Sequence, residues 1–347
     1  MDGDIRQPTM KDVANKVGVS QPTVSHVING TAPISDNVKK KVMEAIDELG
    51  YVPNAMAKGL KTRKSSIVGL IVPDVSLHFY SSVVKAVERA LRVQGYMVFL
   101  CNTFYNPELE RQYIETLIQH NVIGVLSCSD LLDKKSDKLL EKYRIPLVLI
   151  DSGGGENDCT MCISVDNVAI AKMAVDHLYE GGARNICYVS EPMGTDVIGL
   201  RVQAFKQVMK EKGLECGERY CFVAPKQYDN YDKMHMGYNI GANIVVNPEI
   251  DAVFASSDEF AFGVLSRLKE YGVKIPDDIL LMGIDNDELS SMVTPSLTSI
   301  VQPIKEMAKI GVKMLCEAIR EEPIDTNKII LEPSILIRES TVKPDRR

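Results

Sequence analysis

Residues 9–30 read TMKDVANKVGVSQPTVSHVING, and the reading of this stretch decides how the chain begins. Thr9 and Asp12 have the spacing of a capping box, in which a hydroxyl and a carboxylate serve the free amides of a first helical turn. Val13, Ala14 and Val17 then form one apolar stripe at helical spacing, and Gly18 stops the helix. After only Gly18 and Val19, Ser20 is placed to cap a second helix. Pro22 is tolerated there because first-turn amides lack intrahelical partners in any case. Val24, Val27 and Ile28 give the second helix a buried face, Gln21, Thr23, Ser25 and His26 point away from it, and Asn29-Gly30 ends it. Two short helices joined so tightly predict a helix-turn-helix whose second helix enters the major groove of DNA. A third helix from Ser35 to about Leu49, with Val38, Val42, Ala45, Ile46 and Leu49 on one side, closes a three-helix core. Periodicity alone leaves an ordinary small helical bundle equally open.

Charge sharpens the choice. The 347-residue chain carries a net charge of −7, which by itself argues against nucleic acid. Its distribution is uneven, at +3 over residues 1–64 and −10 over the rest. A basic head on an acidic body is the asymmetry of a phosphate-contacting module carried by one that does not bind DNA. The length predicts two or three compact units, and 45% apolar with 25% charged residues is ordinary for soluble globular chains. The polar start MDGDIRQPTM and the lack of a long apolar run predict a cytoplasmic protein with no membrane span. Eight cysteines fit reduced thiols in that compartment. Cys159 and Cys162 form a lone C-x-x-C without a second pair, and the five histidines are scattered, so neither metal nor cofactor is expected.

The residues of the head carry a specific resemblance. TMKDVANKVGVSQPTVSHVING, followed by KVMEAIDELGYVPNAMAKGL, closely resembles the lactose-repressor/galactose-repressor family of bacterial regulators, and the likeness continues through the body. The resemblance implies that Gln21, Pro22 and His26 read bases while Thr23, Ser25 and Asn29 touch phosphate. It also implies that residues 53–65 form a hinge helix and linker, the helix folding only on the operator with Leu60 wedged into the central base step. Local composition alone reads the same segment as a plain linker. The expected DNA-contacting set is Thr9, Gln21, Pro22, Thr23, Ser25, His26, Asn29, Asn54 and Leu60.

From Ile67 onward strands alternate with helices, which predicts an α/β body with parallel sheets. IVGLIV, MVFLC, GVLSC and PLVLI read as strands of one lobe, and NICYV, DAVFAS and ILLMGI as strands of a second. The resemblance implies a periplasmic sugar-binding-protein-like body. The expected division is a helix-turn-helix domain over 1–52, the hinge over 53–65 and a two-lobed effector-binding and dimerisation domain over 66–340. Its lobes are expected at roughly 66–164 plus 294–323, and 165–293 plus 324–340. Ligands of such sheets bind beyond the carboxyl ends of the strands. Residues just after the strand runs, together with the family pattern, give Phe79, Tyr80, Phe104, Asp151, Arg201, Ser257, Asp285 and Gln302 as the effector-binding set. A carboxylate and a guanidinium together bind several hydroxyls, and flat aromatic faces suit a sugar ring. Core packing for the aromatics, a turn role for Asp285 and a helix cap for Asp258 are the competing readings. Tyr228 or Tyr231 is a further candidate for the aromatic wall.

The function expected is a transcriptional repressor whose operator affinity is set by a small-molecule effector, a sugar or a derivative. Two relatives' modes stay open: control by a phosphorylated carrier protein, which VVKAVERA and SSMVTPSLTSIVQP resemble, and a purine corepressor. Whether the effector releases DNA or promotes binding also stays open. No nucleophile elbow, phosphate loop or G-x-G-x-x-G follows a strand, so an enzyme is not expected. One helix-turn-helix covers a half-site, so a homodimer on a near-palindromic operator is expected, and the resemblance implies that the first lobe, up to and including the segment near residues 67–120, holds much of its interface. The tail STVKPDRR lacks leucine heptads and predicts no tetramerising coiled coil.

Overall fold

A computed structural model describes residues 8–52, 65–129, 134–152, 161–192, 196–225 and 232–343. The chain divides into two compact units, Met1–Ser65 and Ser66–Arg347. The expected hinge contacts Asn54 and Leu60 lie outside the described residues, as do Tyr228 and Tyr231.

The first unit holds α1 (Met10–Val17), α2 (Gln21–Asn29) and α3 (Asp36–Leu49). The Thr9–Asp12 capping box is complete, with the Thr9 amide donating to Asp12 Oδ2 at 2.8 Å. Gly18 takes φ +74° and donates its amide to Ala14 O, closing α1 in the left-handed conformation that a glycine adopts without strain. Ser20 accepts the Thr23 amide and starts α2 after a two-residue gap. Val13, Ala14, Val24, Val42 and Ala45 form the core, and Tyr51, just past α3, packs into it. Every core side chain is apolar or aromatic and small enough for three short helices to meet, which is what holds so small a unit together.

The second unit is two α/β lobes. In chain order come β1 (Ile67–Val72), α4 (His78–Val93), β2 (Met97–Asn102), α5 (Pro107–Gln119), β3 (Gly124–Ser127), α6 (Lys134–Lys142), β4 (Leu147–Ile150) and β5 (Met161–Val165). Then follow α7 (Asn167–Glu180), β6 (Ile186–Ser190), α8 (Asp196–Glu211), β7 (Cys221–Val223), α9 (Lys233–Val245), β8 (Ala252–Ala255), α10 (Asp258–Glu270) and β9 (Leu280–Ile284). The chain ends with β10 (Thr298–Val301), α11 (Ile304–Ile319), β11 (Lys328–Leu331) and β12 (Ser334–Leu336). The first sheet runs β11-β5-β4-β3-β1-β2, parallel throughout. The second runs β12-β10-β9-β8-β6-β7, with only β12 antiparallel. Helices cover both faces of each sheet, so central strands such as β6 and β9 are buried at every position and read as unbroken apolar runs.

The lobe division differs from the expected one at its C-terminal end. Residues 294–323 are expected whole in the first lobe, yet β10 pairs with β9 in the second sheet, and only α11 returns to pack on Val148, Ile150 and Ile163 of the first. Likewise β11 pairs with β5 in the first sheet, while β12 pairs with β10 in the second. Each short strand joins the sheet edge left unpaired by its predecessor, so the chain crosses between lobes three times: after β5, after β10 and after β11.

Candidate functional site

The outer face of α2 is polar. Gln21, Pro22 and His26 are exposed, and Thr23, Ser25 and Asn29 are half-buried beside them. Pro22 sits in the first turn, where its missing amide costs nothing. The His26 ring is steadied by its Nδ1 lying 2.9 Å from Thr31 Oγ1, which leaves Nε2 to face outward. Asn29 turns its amide donor back onto the Ser25 carbonyl at 2.8 Å. Thr9, at the N-cap of α1, is exposed. Gln21, Pro22 and Thr23 lie in the first turn of α2 while Ser25, His26 and Asn29 follow towards its C-terminus, so hydrogen-bonding groups run along the whole outer face of the helix, an arrangement that suits base edges and phosphates.

In the body, a cavity of about 90 Å³ opens where the carboxyl ends of both sheets face each other, several times the space one water needs. The first lobe contributes Pro73 after β1, Phe79 and Tyr80 from the first turn of α4, Tyr105 after β2, Cys128 and Ser129 after β3, and Asp151 after β4. The second contributes Glu191 after β6, Arg201 from α8, Lys233 from α9, Ser256 after β8, Asp285 after β9 and Gln302 after β10. Phe79 and Tyr80 meet edge to face at 5.2 Å and make one wall. Asp151 and Asp285 occupy equivalent places, and both are held at positive φ, +54° and +101°. Their amides bond to the next strand, Asp151 to Ile163 O and Asp285 to Ile300 O, each at 2.8 Å. Left-handed backbone at two non-glycine residues is a strain that the surrounding sheet sustains, and it aims both carboxylates into the cavity.

A continuous polar chain crosses the second lobe's side. Arg201 Nε donates to Asn167 Oδ1 at 2.7 Å, and Arg201 Nη2 donates to Gln302 Oε1 at 3.4 Å. Gln302 Nε2 in turn donates to Asp285 Oδ1 at 2.6 Å. Burial works against the Arg201 charge, but Asp151, Tyr188 and Asp285 outweigh it and hold the guanidinium above its usual pKa. Burial pushes the Asp285 carboxyl up, against the pull of Lys233 and Arg201. Burial, with Tyr105 and Asp151 adding to it, raises Tyr80 well above an ordinary phenol. Across the cleft, the His78 amide donates to Glu259 Oε1 at 3.0 Å and His78 Nδ1 lies 3.2 Å from Asp287 Oδ2, so the two lobes also touch through polar groups.

Of the eight effector-site residues expected from sequence, six line the cavity: Phe79, Tyr80, Asp151, Arg201, Asp285 and Gln302. Phe104 does not, being 63% exposed. Phe104 and Tyr105 are both left-handed, at φ +50° and +55°, and the turn they form carries Tyr105 to the cavity wall and Phe104 to the surface. Ser257 is absent from the lining as well, because its hydroxyl accepts the Phe260 amide as N-cap of α10, and Ser256 takes the cavity position. Asp258 is not that cap. Its carboxylate is buried and accepts from Ser290 Oγ, Ser299 Oγ and the Asp287 amide. Tyr105, Ser129, Glu191, Lys233 and Ser256 are polar lining residues that sequence reasoning missed, as was Asn167, which holds Arg201. Among the described residues no cluster of metal-ligating side chains occurs, and no helix is long and apolar enough to cross a membrane. Cys162 is buried with its thiol on Ser152 O at 3.7 Å, while Cys159 lies outside the described residues.

With this geometry in place, likeness to known proteins places the chain. Residues 9–54 match the model of bacterial regulatory proteins of the lacI family, and residues 175–341 match that of a periplasmic binding protein-like domain. The chain is 33% identical over 333 residues to the ribose operon repressor of Halalkalibacterium halodurans, covering 96% of this chain and 97% of that one. It is 31% identical over 335 residues to catabolite control protein A of Priestia megaterium, covering 96% and 99%. Among solved structures it matches a lac repressor dimer bound to operator and an anti-inducer, at 22% identity and a TM-score of 0.82 over 97% of this chain and all of that one. A periplasmic binding protein/LacI regulator from Alkaliphilus metalliredigens in complex with D-xylulofuranose matches at 31% identity and a TM-score of 0.68, over 80% of this chain and all of that one. With identity of this order running through almost the whole length of both curated relatives, the protein belongs to the lacI family of bacterial regulatory proteins.

Proposed function

We infer that this regulator is a dimeric transcriptional repressor whose operator affinity is set by a small polyhydroxylated effector, a sugar, held between the lobes of its body. The observation that carries the reading is the Arg201–Gln302–Asp285 chain, buried opposite the Phe79–Tyr80 wall at the carboxyl ends of both sheets. Charged donors and acceptors facing an aromatic wall suit hydroxyls on a small ring. A relative in complex with D-xylulofuranose and another named for a ribose operon support the same class. The cavity's role is binding, with Phe79, Tyr80, Asp151, Arg201, Asp285 and Gln302 as effector contacts and Gln21, Pro22, Thr23, Ser25, His26 and Asn29 as DNA contacts.

One head covers a half-site, so two copies bind a near-palindromic operator. An interface in residues 67–120 is supported by Val93, Met97 and Leu100, exposed apolar side chains at the β2 edge of the first sheet. Lobe closure on the effector then changes how the two heads are presented. The experiment is operator binding by fluorescence anisotropy at fixed salt, titrated with a panel of sugars and purines. One sugar that changes operator affinity, with the effect lost in Arg201→Ala, is the expected result. Unchanged affinity across the panel, together with a response to a phosphorylated carrier protein, would replace this reading with control by that protein.

A further inference from the structure

The cavity holds an ion pair that the Arg201–Gln302–Asp285 chain does not use. Lys233 is the first residue of α9, and its ammonium lies 2.9 Å from Glu191 Oε1, with the two side chains only 11% and 8% exposed. Glu191 Oε2 accepts from Ser256 Oγ, so both carboxylate oxygens are engaged. Burial alone would raise the Glu191 carboxyl, but Lys233 and Ser256 overcome it and hold it at about 2.

This pair is hard to explain by folding. A cation in the first turn of a helix sits at the positive end of the macrodipole, and a buried ion pair returns little stability for the desolvation it costs. A packed apolar pair would stabilise that corner at least as well. What the pair does supply is an ammonium with three N–H donors, one of them taken by Glu191, at the edge of a cavity that Lys233 lines. Among the described residues the lining holds two cations, Arg201 and Lys233, against three carboxylates, Asp151, Glu191 and Asp285. The cations are thus already matched, with one acid in excess.

We propose that Lys233, held in place by Glu191, is a specificity-determining residue of the effector site: its ammonium donates to a hydroxyl or ring oxygen of an uncharged ligand, and Glu191 excludes ligands bearing a carboxylate or phosphate. The proposal rests on the reading of the cavity as a sugar site. An anion entering the wild-type cavity meets an excess of negative charge in a low-dielectric space. Neutralising Glu191 releases Lys233 to pair with just such a group.

The test uses the full-length protein, isothermal titration calorimetry and matched probes: D-xylose, D-ribose, D-glucose and D-galactose beside xylonate, ribonate, glucuronate and galacturonate. Three proteins are compared: wild type, Glu191→Gln, and the double variant Glu191→Gln with Lys233→Met. The two variants share a neutral residue 191 and differ in the ammonium, and the double variant leaves no unpaired charge from this pair. Wild type is expected to bind a neutral sugar and not its acid. In Glu191→Gln the acid-to-neutral affinity ratio rises by about tenfold or more, the effect of one charge-assisted hydrogen bond. In the double variant that gain disappears, and the neutral sugar binds about tenfold or more weakly than to wild type. A ratio unmoved by Glu191→Gln, or a double variant that binds the neutral sugar as wild type does, would overturn the role given to the pair. Preference of the wild type for an acid would overturn it too. If no probe binds any of the three proteins, the sugar-site reading itself fails and takes this assignment with it.

Discussion

Asp258 offers a prediction whose sign and size both follow from its surroundings. It is 1% exposed, and its carboxylate accepts from Ser299 Oγ at 2.7 Å, Ser290 Oγ at 2.6 Å and the Asp287 amide at 2.8 Å. Gly283 packs so close to it that a Cβ there would collide with Asp258 Oδ1. Burial pushes the carboxyl up to about 8, the Ser290 and Ser299 hydroxyls pull it down, and Asp285 adds to the rise. An unfolded aspartate titrates near 3.9, so between about pH 4 and 8 the native state binds a proton that the unfolded state has lost. The native-state advantage is therefore full at the acid end of this window, falls as pH rises, and is gone above the native pKa. At about 1.4 kcal/mol per pH unit, wild type loses roughly 2–3 kcal/mol at this site between pH 5.5 and 7.5.

Asp258→Asn is the perturbation. An asparagine keeps an acceptor for the Asp287 amide and the Ser290 hydroxyl, and its Nδ2 faces the Ser299 hydroxyl, which rotates to accept. It does not titrate, so the variant lacks this slope. Urea denaturation of both proteins, followed by circular dichroism at several pH values and constant ionic strength, yields the difference in unfolding free energy. Residues common to both cancel, including the acids and histidines elsewhere. The difference between wild type and variant is expected to shift by roughly 2–3 kcal/mol across that interval, in favour of the variant as pH rises. A difference independent of pH would mean that the carboxylate is ionised throughout and that its three donors outweigh burial.

Arg201→Ala removes the partner of Asn167 and Gln302 and leaves Asp151 and Asp285 facing each other across a buried cavity, so a loss of roughly 3–5 kcal/mol is expected in the same denaturation assay. The sugar response of operator binding is expected to vanish with it. His26→Ala removes an exposed ring from the outer face of α2 and is expected to weaken operator binding by roughly 1–3 kcal/mol while leaving random-sequence DNA nearly unaffected. Equal losses on both DNAs in an anisotropy titration would remove His26 from base reading. Thr9→Ala removes the hydroxyl arm of the capping box and leaves the backbone arm to Asp12, and is expected to cost the head about 1 kcal/mol, read as a lower melting temperature of that unit in calorimetry. His78→Ala deletes one lobe-to-lobe contact while the backbone bond to Glu259 stays, so the effector concentration for half-response is expected to move several-fold. An unchanged dose–response curve would show that this contact does not distinguish the lobe arrangements.

What the sequence disclosed, and what it did not, follows from how far each signal reaches. The head was legible residue by residue, because caps, apolar stripe and turn glycine act within four positions of one another: Thr9 on Asp12, Ser20 on Thr23, Gly18 on Ala14. The sheets were legible as unbroken apolar runs. Six of the eight expected cavity positions were legible as they stand, and the other two to within one residue. After a strand ends, local backbone decides which of two neighbours turns inward. A left-handed pair at Phe104 and Tyr105 and a helix start at Ser257 each displaced the inward position by one. Glu191 and Lys233 meet across 42 residues of chain, and no spacing rule joins a strand end to a helix start over that distance. The lobe crossings at β10 and β11 were hidden for the same reason, since a four-residue strand carries no mark of the sheet edge it will join.

The loop after β9 gives a route by which a ligand in the cavity would be felt at the lobe contact. Asp285 and Asn286 are consecutive left-handed residues, at φ +101° and +51°, an arrangement that costs of order 1–3 kcal/mol per residue and persists only when its surroundings over-determine it. Here they do. Gln302 holds the Asp285 carboxylate, Ser299 Oγ takes the Asn286 amide at 2.9 Å, Arg338 holds the Asn286 side chain at 2.6 Å, and Asp258 takes the Asp287 amide. Two residues beyond the cavity carboxylate, Asp287 presents its own to His78 of the other lobe. A slack loop would absorb a small displacement of Asp285 by rotating its backbone. This one is pinned at every residue, so a pull on Asp285 moves Asp287 against His78 or breaks a buried hydrogen bond. The cavity and the cleft contact are thus two ends of one short rigid element, and a ligand that bonds Asp285 differently in the open and closed arrangements biases the equilibrium between them by that difference.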